Sequence, residues 1–458
     1  MANQSYAFRK ISLKETRIVT LIAFLAWVIA VYDYILFGTL LPRIEESFGW
    51  DNSQALFVST LVSVGVFLVI ILFGPLIDRL GRRKGMMASV GGSAAASGAS
   101  ALAVGGASLV GIRALSGVAL AEQSVNATYL NEVYALSEDK KVKKNQGLIY
   151  AFVQTGWPVG ALLAAGFVSL VTMWFGPESW RMAFLISIIP AAAVFVLIYV
   201  FLKETPQFVA MKQMKLLQKA GDHAGAQKIS DETGLKLSTE APLRQIFNSV
   251  HRRNTIVLCV VWILNWMGIQ TFSVLGTTVL ESGKGVDASS ALLMIIVANV
   301  VGALGYITHG WLGDKLGRKN VIVGGWIIAG IAFTTMMLGP STPGFVLPMY
   351  MIGLFFLLGP YAAIMYFQAE CFQPECRGTG SAFIVSMSQP GAVVGGFILT
   401  ALVTANFGLT NATIVIALGG ILLSGLIMML ARPVKTSGDD LEEEEQPVVA
   451  QAPITPQP

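Results

Sequence analysis

The sequence predicts an all-α membrane protein, with twelve transmembrane helices arranged as two related six-helix halves. Three observations carry that expectation. Of 458 residues, 54% are apolar and only 13% are charged, with a mean hydropathy of +0.66, whereas a soluble chain carries roughly a quarter charged residues. Twelve apolar segments are each long enough, at ~20 residues, to cross a ~30 Å hydrocarbon core. Several short motifs recur about 236 residues apart. So few charges cannot cover a soluble fold of this size, which excludes a soluble enzyme, a nucleic-acid binder and a disordered protein.

The first seventeen residues, MANQSYAFRKISLKETR, are polar and basic and run directly into a long apolar segment. They lack a short apolar core followed by small residues, so a cleaved signal peptide is not expected. Spans are expected at 18–41, 54–76, 86–108, 110–133, 147–172, 182–202, 255–279, 289–312, 321–338, 345–369, 380–404 and 410–431. Ten-residue alternating strands, the mark of a membrane barrel, are absent from the sequence. The expected organisation is a first six-helix unit over 1–202, a polar central loop over 203–254 with short amphipathic helices, a second unit over 255–432, and a tail over 433–458. That tail, with GDDLEEEE and a Pro/Gln-rich end, has a disordered composition.

Lysine and arginine set the orientation. With the N-terminus inside, Arg9, Lys10, Lys14 and Arg17, then Arg79, Arg82, Arg83 and Lys84, then Lys140, Lys141, Lys143 and Lys144 all fall on one side. The central loop adds Lys212, Lys215, Lys219, Lys228, Arg244, Arg252 and Arg253, followed by Lys315, Arg318 and Lys319. The other side holds only Arg43, Arg181 and Lys284. Both termini are therefore expected in the cytoplasm. Three cysteines, Cys259, Cys371 and Cys376, are too few for a disulfide framework and have no metal-ligand spacing. The histidines His223, His251 and His309 are equally scattered, so no metal is expected.

The repeats are specific. Gly74-Pro-Leu-Ile-Asp78-Arg79-Leu-Gly81-Arg82-Arg83 matches Gly310-Trp-Leu-Gly-Asp314-Lys315-Leu-Gly317-Arg318-Lys319. Gln154-Thr-Gly156 with Gly160 matches Gln389-Pro-Gly391 with Gly395, and Tyr129 with Glu132 matches Tyr366 with Glu370. Matching motifs at nearly one offset argue for duplication of a six-helix unit. The doubled loop, the twelve spans and the long central loop resemble the major facilitator superfamily. The resemblance implies two six-helix bundles around a central cavity and alternating access by rocking. No phosphate-binding loop is present, which fits secondary transport with no cofactor beyond a coupling proton.

At the loops, Asp78, Arg79, Arg82, Glu132 and Glu204 in the first half, and Asp314, Arg318, Glu370 and Arg377 in the second, are candidate gate residues. The alternative is a set of interfacial charges obeying the positive-inside rule. Within the spans, an ionisable group is costly and is read first as functional. Asp33 lies deep in span one, and Arg113 and Glu122 lie in span four. Asp33 is poised between desolvation and a nearby arginine, which suits proton coupling; a static Asp33–Arg113 pair is the alternative. Arg113 either anchors an anionic substrate or serves only Asp33. Glu122 follows it by nine residues, 900° at 100° per residue, so on an ideal helix the two face opposite ways. Glu122 is either a second titrating or substrate-contacting group or a helix-to-helix partner; Asn126 lies one turn on.

Tyr32-Asp33-Tyr34-x-x-Phe37-Gly38 resembles the pattern of metabolite:proton symporters, and Arg113-x-x-x-Gly117 followed by Glu122 resembles the aromatic-acid and sialate symporters, although Glu122 comes one residue early. Glu204-Thr-Pro206 and Trp180-Arg181 resemble the sugar porters. Candidate substrate contacts are Arg113, Tyr34, Phe37, Asn126, Gln154, Asn265, Gln270, Tyr361 and Gln389. Trp27, Trp157, Trp266 and Tyr366 either line a site or face lipid. The resulting expectation is a monomeric proton-coupled importer of a small organic anion, a carboxylate, in a bacterial-type inner membrane. A sugar or polyol symporter is the alternative, with drug efflux, a membrane sensor and a membrane enzyme further behind.

Overall fold

A computed structural model describes residues 10–120, 122–144, 146–176, 179–233, 245–372 and 377–433, with their side chains except at 71–79, 124, 144, 146–148, 369 and 377–379. These residues are almost entirely helical, and ten helices among them are long and apolar enough to cross a membrane. Span one is Leu13–Phe48, capped at its start by Ser12, and span two is Asn52–Leu80. Span three, Arg82–Ser100, has the length but is built from small and polar residues. Span four is broken into Gly106–Ala114, Gly117–Leu120 and Glu122–Ala135. Spans five and six each have one break, as Gln146–Gln154 with Gly156–Phe175, and Trp180–Ile186 with Ile188–Phe201.

The second half follows the same order. Span seven starts as Arg252–Gly268 and continues through two π-helical stretches, Ile269–Val274 and Val279–Gly283. Spans eight and nine are Ala288–Leu316 and Arg318–Leu338. Span ten is Pro343–Leu358 with Tyr361–Glu370, and span eleven is Arg377–Ser386 with Ser388–Thr404. Span twelve runs from Leu409–Ile416 through a π-helical turn to Leu423–Met428. The central segment forms the expected short helices, Pro206–Lys219 and His223–Thr233, which pack through Ala210, Met214 and Ile229. The tail beyond residue 433 lies outside the described residues.

The repeated glycines now have a physical reason. Span five lies on span one, where a Cβ on Gly160 would meet the Val28 carbonyl at 2.8 Å and the Tyr32 nitrogen at 2.9 Å. Span eleven lies on span seven in the same way, with Gly391 against the Ile263 carbonyl and Gly395 against Met267. The two loops also share a turn, made by Gly81 at φ +100° and Gly317 at φ +83°, a conformation that disfavours other residues. Between halves, span two packs on span eleven and span five on span eight. That arrangement leaves spans one, four, five, seven, ten and eleven around the molecular centre.

Candidate functional site

Asp33 and Arg113 meet as the sequence suggested. The Arg113 guanidinium donates to Asp33 Oδ1 at 3.0 Å and to the Asp33 backbone carbonyl at 2.9 Å. Ser97 also donates to Oδ1, and Phe37 and Phe184 hold the guanidinium within 5.6 and 5.4 Å of their rings. Arg113 is 1% exposed. Its reach to Asp33 depends on the break in span four just after Ala114, where the Leu115 and Ser116 amides bond three residues back. Glu122 is wholly buried and has no cationic partner among the described residues. Asn126 is spent on the Ala23 carbonyl at 2.8 Å.

Two small adjoining cavities lie between the halves and share Trp27, Gln123 and Trp266. The first is walled by Trp157, Trp262, Tyr306 and Tyr361, with Gln154 at its edge; the second by Leu120, Ser386, Ser388 and Gln389. Among the described residues, none that lines either cavity is charged. Trp157 is the hub, with ring centroids 6.2 Å from Trp27 and 5.4 Å from Trp266. Of the sequence candidates, Gln154, Tyr361 and Gln389 line these spaces. Asn265 sits behind Tyr361, whose hydroxyl donates to it at 2.7 Å. Arg113, Phe37 and Asn126 do not line them.

Above the cavities, at the end opposite the basic loops, the halves are tied together. The Tyr34 hydroxyl donates to Gln270 Oε1 at 3.0 Å, Trp157 Nε1 to Ser273 at 3.2 Å, and Thr277 to the Gly38 carbonyl at 3.1 Å. Arg43 and Glu281 form an ion pair at 2.6 Å. All four bonds use span seven; Gln270, Ser273 and Glu281 lie in its π-helical stretches and Thr277 in the α-helical turn between them. This end is closed.

Comparison with known proteins identifies the architecture. The Major Facilitator Superfamily model matches residues 22–395 and, in an overlapping match, 264–456. The chain belongs to the Major Facilitator Superfamily. It is a membrane transporter and not an enzyme. The gallate transporter of Pseudomonas putida is 25% identical over 406 residues, spanning 86% of each chain. The 4-hydroxybenzoate transporter PcaK of Acinetobacter baylyi is 24% identical, over 90% of this chain and 92% of that one. The niacin transporter NiaP of the same organism is 22% identical, over 91% and 94%. In fold, the chain superimposes on the partially occluded, inward-open xylose transporter XylE from E. coli with a TM-score of 0.70, covering 92% of this chain and all of that one at 17% identity.

In this superfamily member the described residues of the paired loops form charge clusters with partners in the same half. Arg82 donates through Nε and a terminal nitrogen to Glu132, at 3.1 and 2.9 Å, and Thr205 donates to the same carboxylate. Glu204 accepts from the Arg82 and Arg83 backbone amides, at 2.8 and 3.3 Å, and so caps span three. Arg318 likewise binds Glu370 and lies 3.6 Å from Asp314. The side chains of Asp78, Arg79 and Arg377 lie outside the described ones. Nearby, Cys371 is structural: Asn254 donates to its sulfur, and burial pushes the thiol up to about 12. His309 is buried in span eight and contacts the Gly305 carbonyl, and His251 contacts the Cys371 carbonyl.

Sequence reasoning left out Gln123, Trp262 and Tyr306. The only available signal for Gln123 was a polar residue within an apolar span, one position from the more conspicuous Glu122.

Proposed function

We propose that this transporter imports a small aromatic carboxylate together with protons, across the inner membrane of a bacterium, with both termini in the cytoplasm. The observation that carries the reading is an uncharged cavity walled by four tryptophans and two tyrosines, set beside a buried Asp33–Arg113 pair. Indole faces suit an aromatic ring. The gallate, 4-hydroxybenzoate and niacin transporters point to the same substrate class.

Proton coupling rests on Asp33. A buried ion pair is strained by loss of either charge, so protonation of Asp33 releases Arg113 and disturbs span one. The neighbouring Tyr34 carries that disturbance across to Gln270 on span seven. Glu122, buried without a cationic partner among the described residues, is the second proton carrier. Arg82, Glu132, Glu204, Arg318 and Glu370 hold the cytoplasmic helix ends of each half as rigid bodies during rocking.

The test is uptake by proteoliposomes offered benzoate, 4-hydroxybenzoate, gallate, xylose and a cationic dye, with and without an inward proton gradient. The reading expects gradient-driven accumulation of at least one acid. Accumulation of xylose with no acid would replace it by sugar symport.

A further inference from the structure

The anion expected in the cavity meets no cation among the described residues that line it, because Arg113 is bound to Asp33. We propose that the substrate carboxylate is held by two neutral donors, the indole N–H groups of Trp27 and Trp266. This rests on the aromatic-carboxylate reading and names the atoms that recognise the charged group.

Both tryptophans line both cavities. Both are more than nine-tenths buried. In each, the indole nitrogen is buried and has no hydrogen-bond partner among the described residues. A buried donor without an acceptor is expensive, and a polar group that completes it on ligand binding is recognised strongly. The adjacent Trp157, by contrast, spends its N–H on Ser273. The pattern is selective: the central indole is tied to the protein, and the two flanking it are free.

Charge chemistry supports neutral donors. A carboxylate entering an apolar cavity loses hydration that must be replaced by hydrogen bonds, and N–H donors act strongly where the dielectric is low. A fixed cation would hold the anion tightly in every state and hinder release. Two indoles compensate desolvation without that trap. They also sit on opposite halves, Trp27 on span one and Trp266 on span seven, so a carboxylate between them joins the two bodies whose rocking moves it.

The experiment uses the purified full-length chain, with Trp27→Phe and Trp266→Phe, which keep an aromatic ring but remove the N–H together with the pyrrole half of the indole; comparing an acid with its amide cancels the ring contact that both ligands lose. Binding of benzoate and of its neutral isostere benzamide is measured by calorimetry, or of another acid and its amide if the uptake panel selects one. Hydrogen bonds to charged groups correspond to roughly tenfold to a hundredfold in affinity. Each substitution should therefore lower the preference for acid over amide by about tenfold or more. That ratio is independent of the folded fraction. A parent that binds the acid, with the ratio unchanged in both variants, would overturn the indole assignment alone. A parent that binds no aromatic acid would overturn the functional reading and this inference with it.

Discussion

At the scale of single residues, Arg113 shows why burial decides a role. Its guanidinium has two acceptors on Asp33 and two aromatic rings around it, and it is 1% exposed. Removing one member of such a pair leaves an uncompensated charge, which costs about 3–5 kcal/mol. Arg113→Gln should therefore lower unfolding stability by about that amount. Adding Asp33→Asn should recover a substantial part of it, because the orphaned carboxylate is then gone. Thermal unfolding of the two single variants and the double variant measures this; strictly additive losses would show that the two residues do not act as a unit. The sequence placed the pair because both residues are ionisable in apolar surroundings. It left open whether the arginine also holds substrate, since that depends on which way a broken helix turns.

At the scale of elements, closure of the end opposite the basic loops depends on span one touching span seven without a side chain between them. A Cβ on Gly38 would collide with the Val274 carbonyl, which belongs to the other half. Gly38→Ala should therefore keep that end ajar and shift the population toward the state open there. A cysteine placed at Thr400, which is buried against Thr60 of the other half at 3.4 Å, should label faster in Gly38→Ala than in the parent, with the three native cysteines replaced. Equal labelling would mean that the helices absorb the methyl group without separating. Arg82→Ala makes the contrast. Its bonds to Glu132 stay inside one half, so it should cost about 1–2 kcal/mol of stability and leave labelling at Thr400 unchanged. Faster labelling in Arg82→Ala would contradict the confinement of that cluster to its own half.

Helix existence was legible because hydropathy reports it directly. The breaks at Leu115–Ser116 and Ser187, and the π-helical stretches of span seven, were not. They reflect packing between neighbours, to which an apolar run is indifferent. The glycine repeats were visible as a pattern, and their cause became clear only when span five met span one. Aromatic residues were the least legible part of the site. Trp174 and Trp311 are 64% and 57% exposed on the lipid-facing surface, whereas Trp27 and Trp266 wall the cavity, and nothing in their local sequence separates the two groups.

At the scale of the whole molecule, the account joins a proton site in the first half to a cavity shared by both halves. Asp33 belongs to span one, the cavities draw on spans one, two, four, five, seven, eight, ten and eleven, and the closed end is held by bonds between spans one, five and seven. Movement of one half against the other must therefore change Asp33 surroundings and cavity access together. Asp33→Asn should uncouple them, retaining exchange of labelled for unlabelled acid while losing accumulation against a gradient; normal accumulation by this variant would move the coupling site to Glu122. The most direct measurement is proton movement itself. A transported aromatic carboxylate is added outside lightly buffered proteoliposomes, and the external pH is followed with an electrode. The account predicts alkalinisation of the medium that tracks uptake in the parent and is absent in Asp33→Asn. Uptake of the acid by the parent with no accompanying proton movement would contradict it.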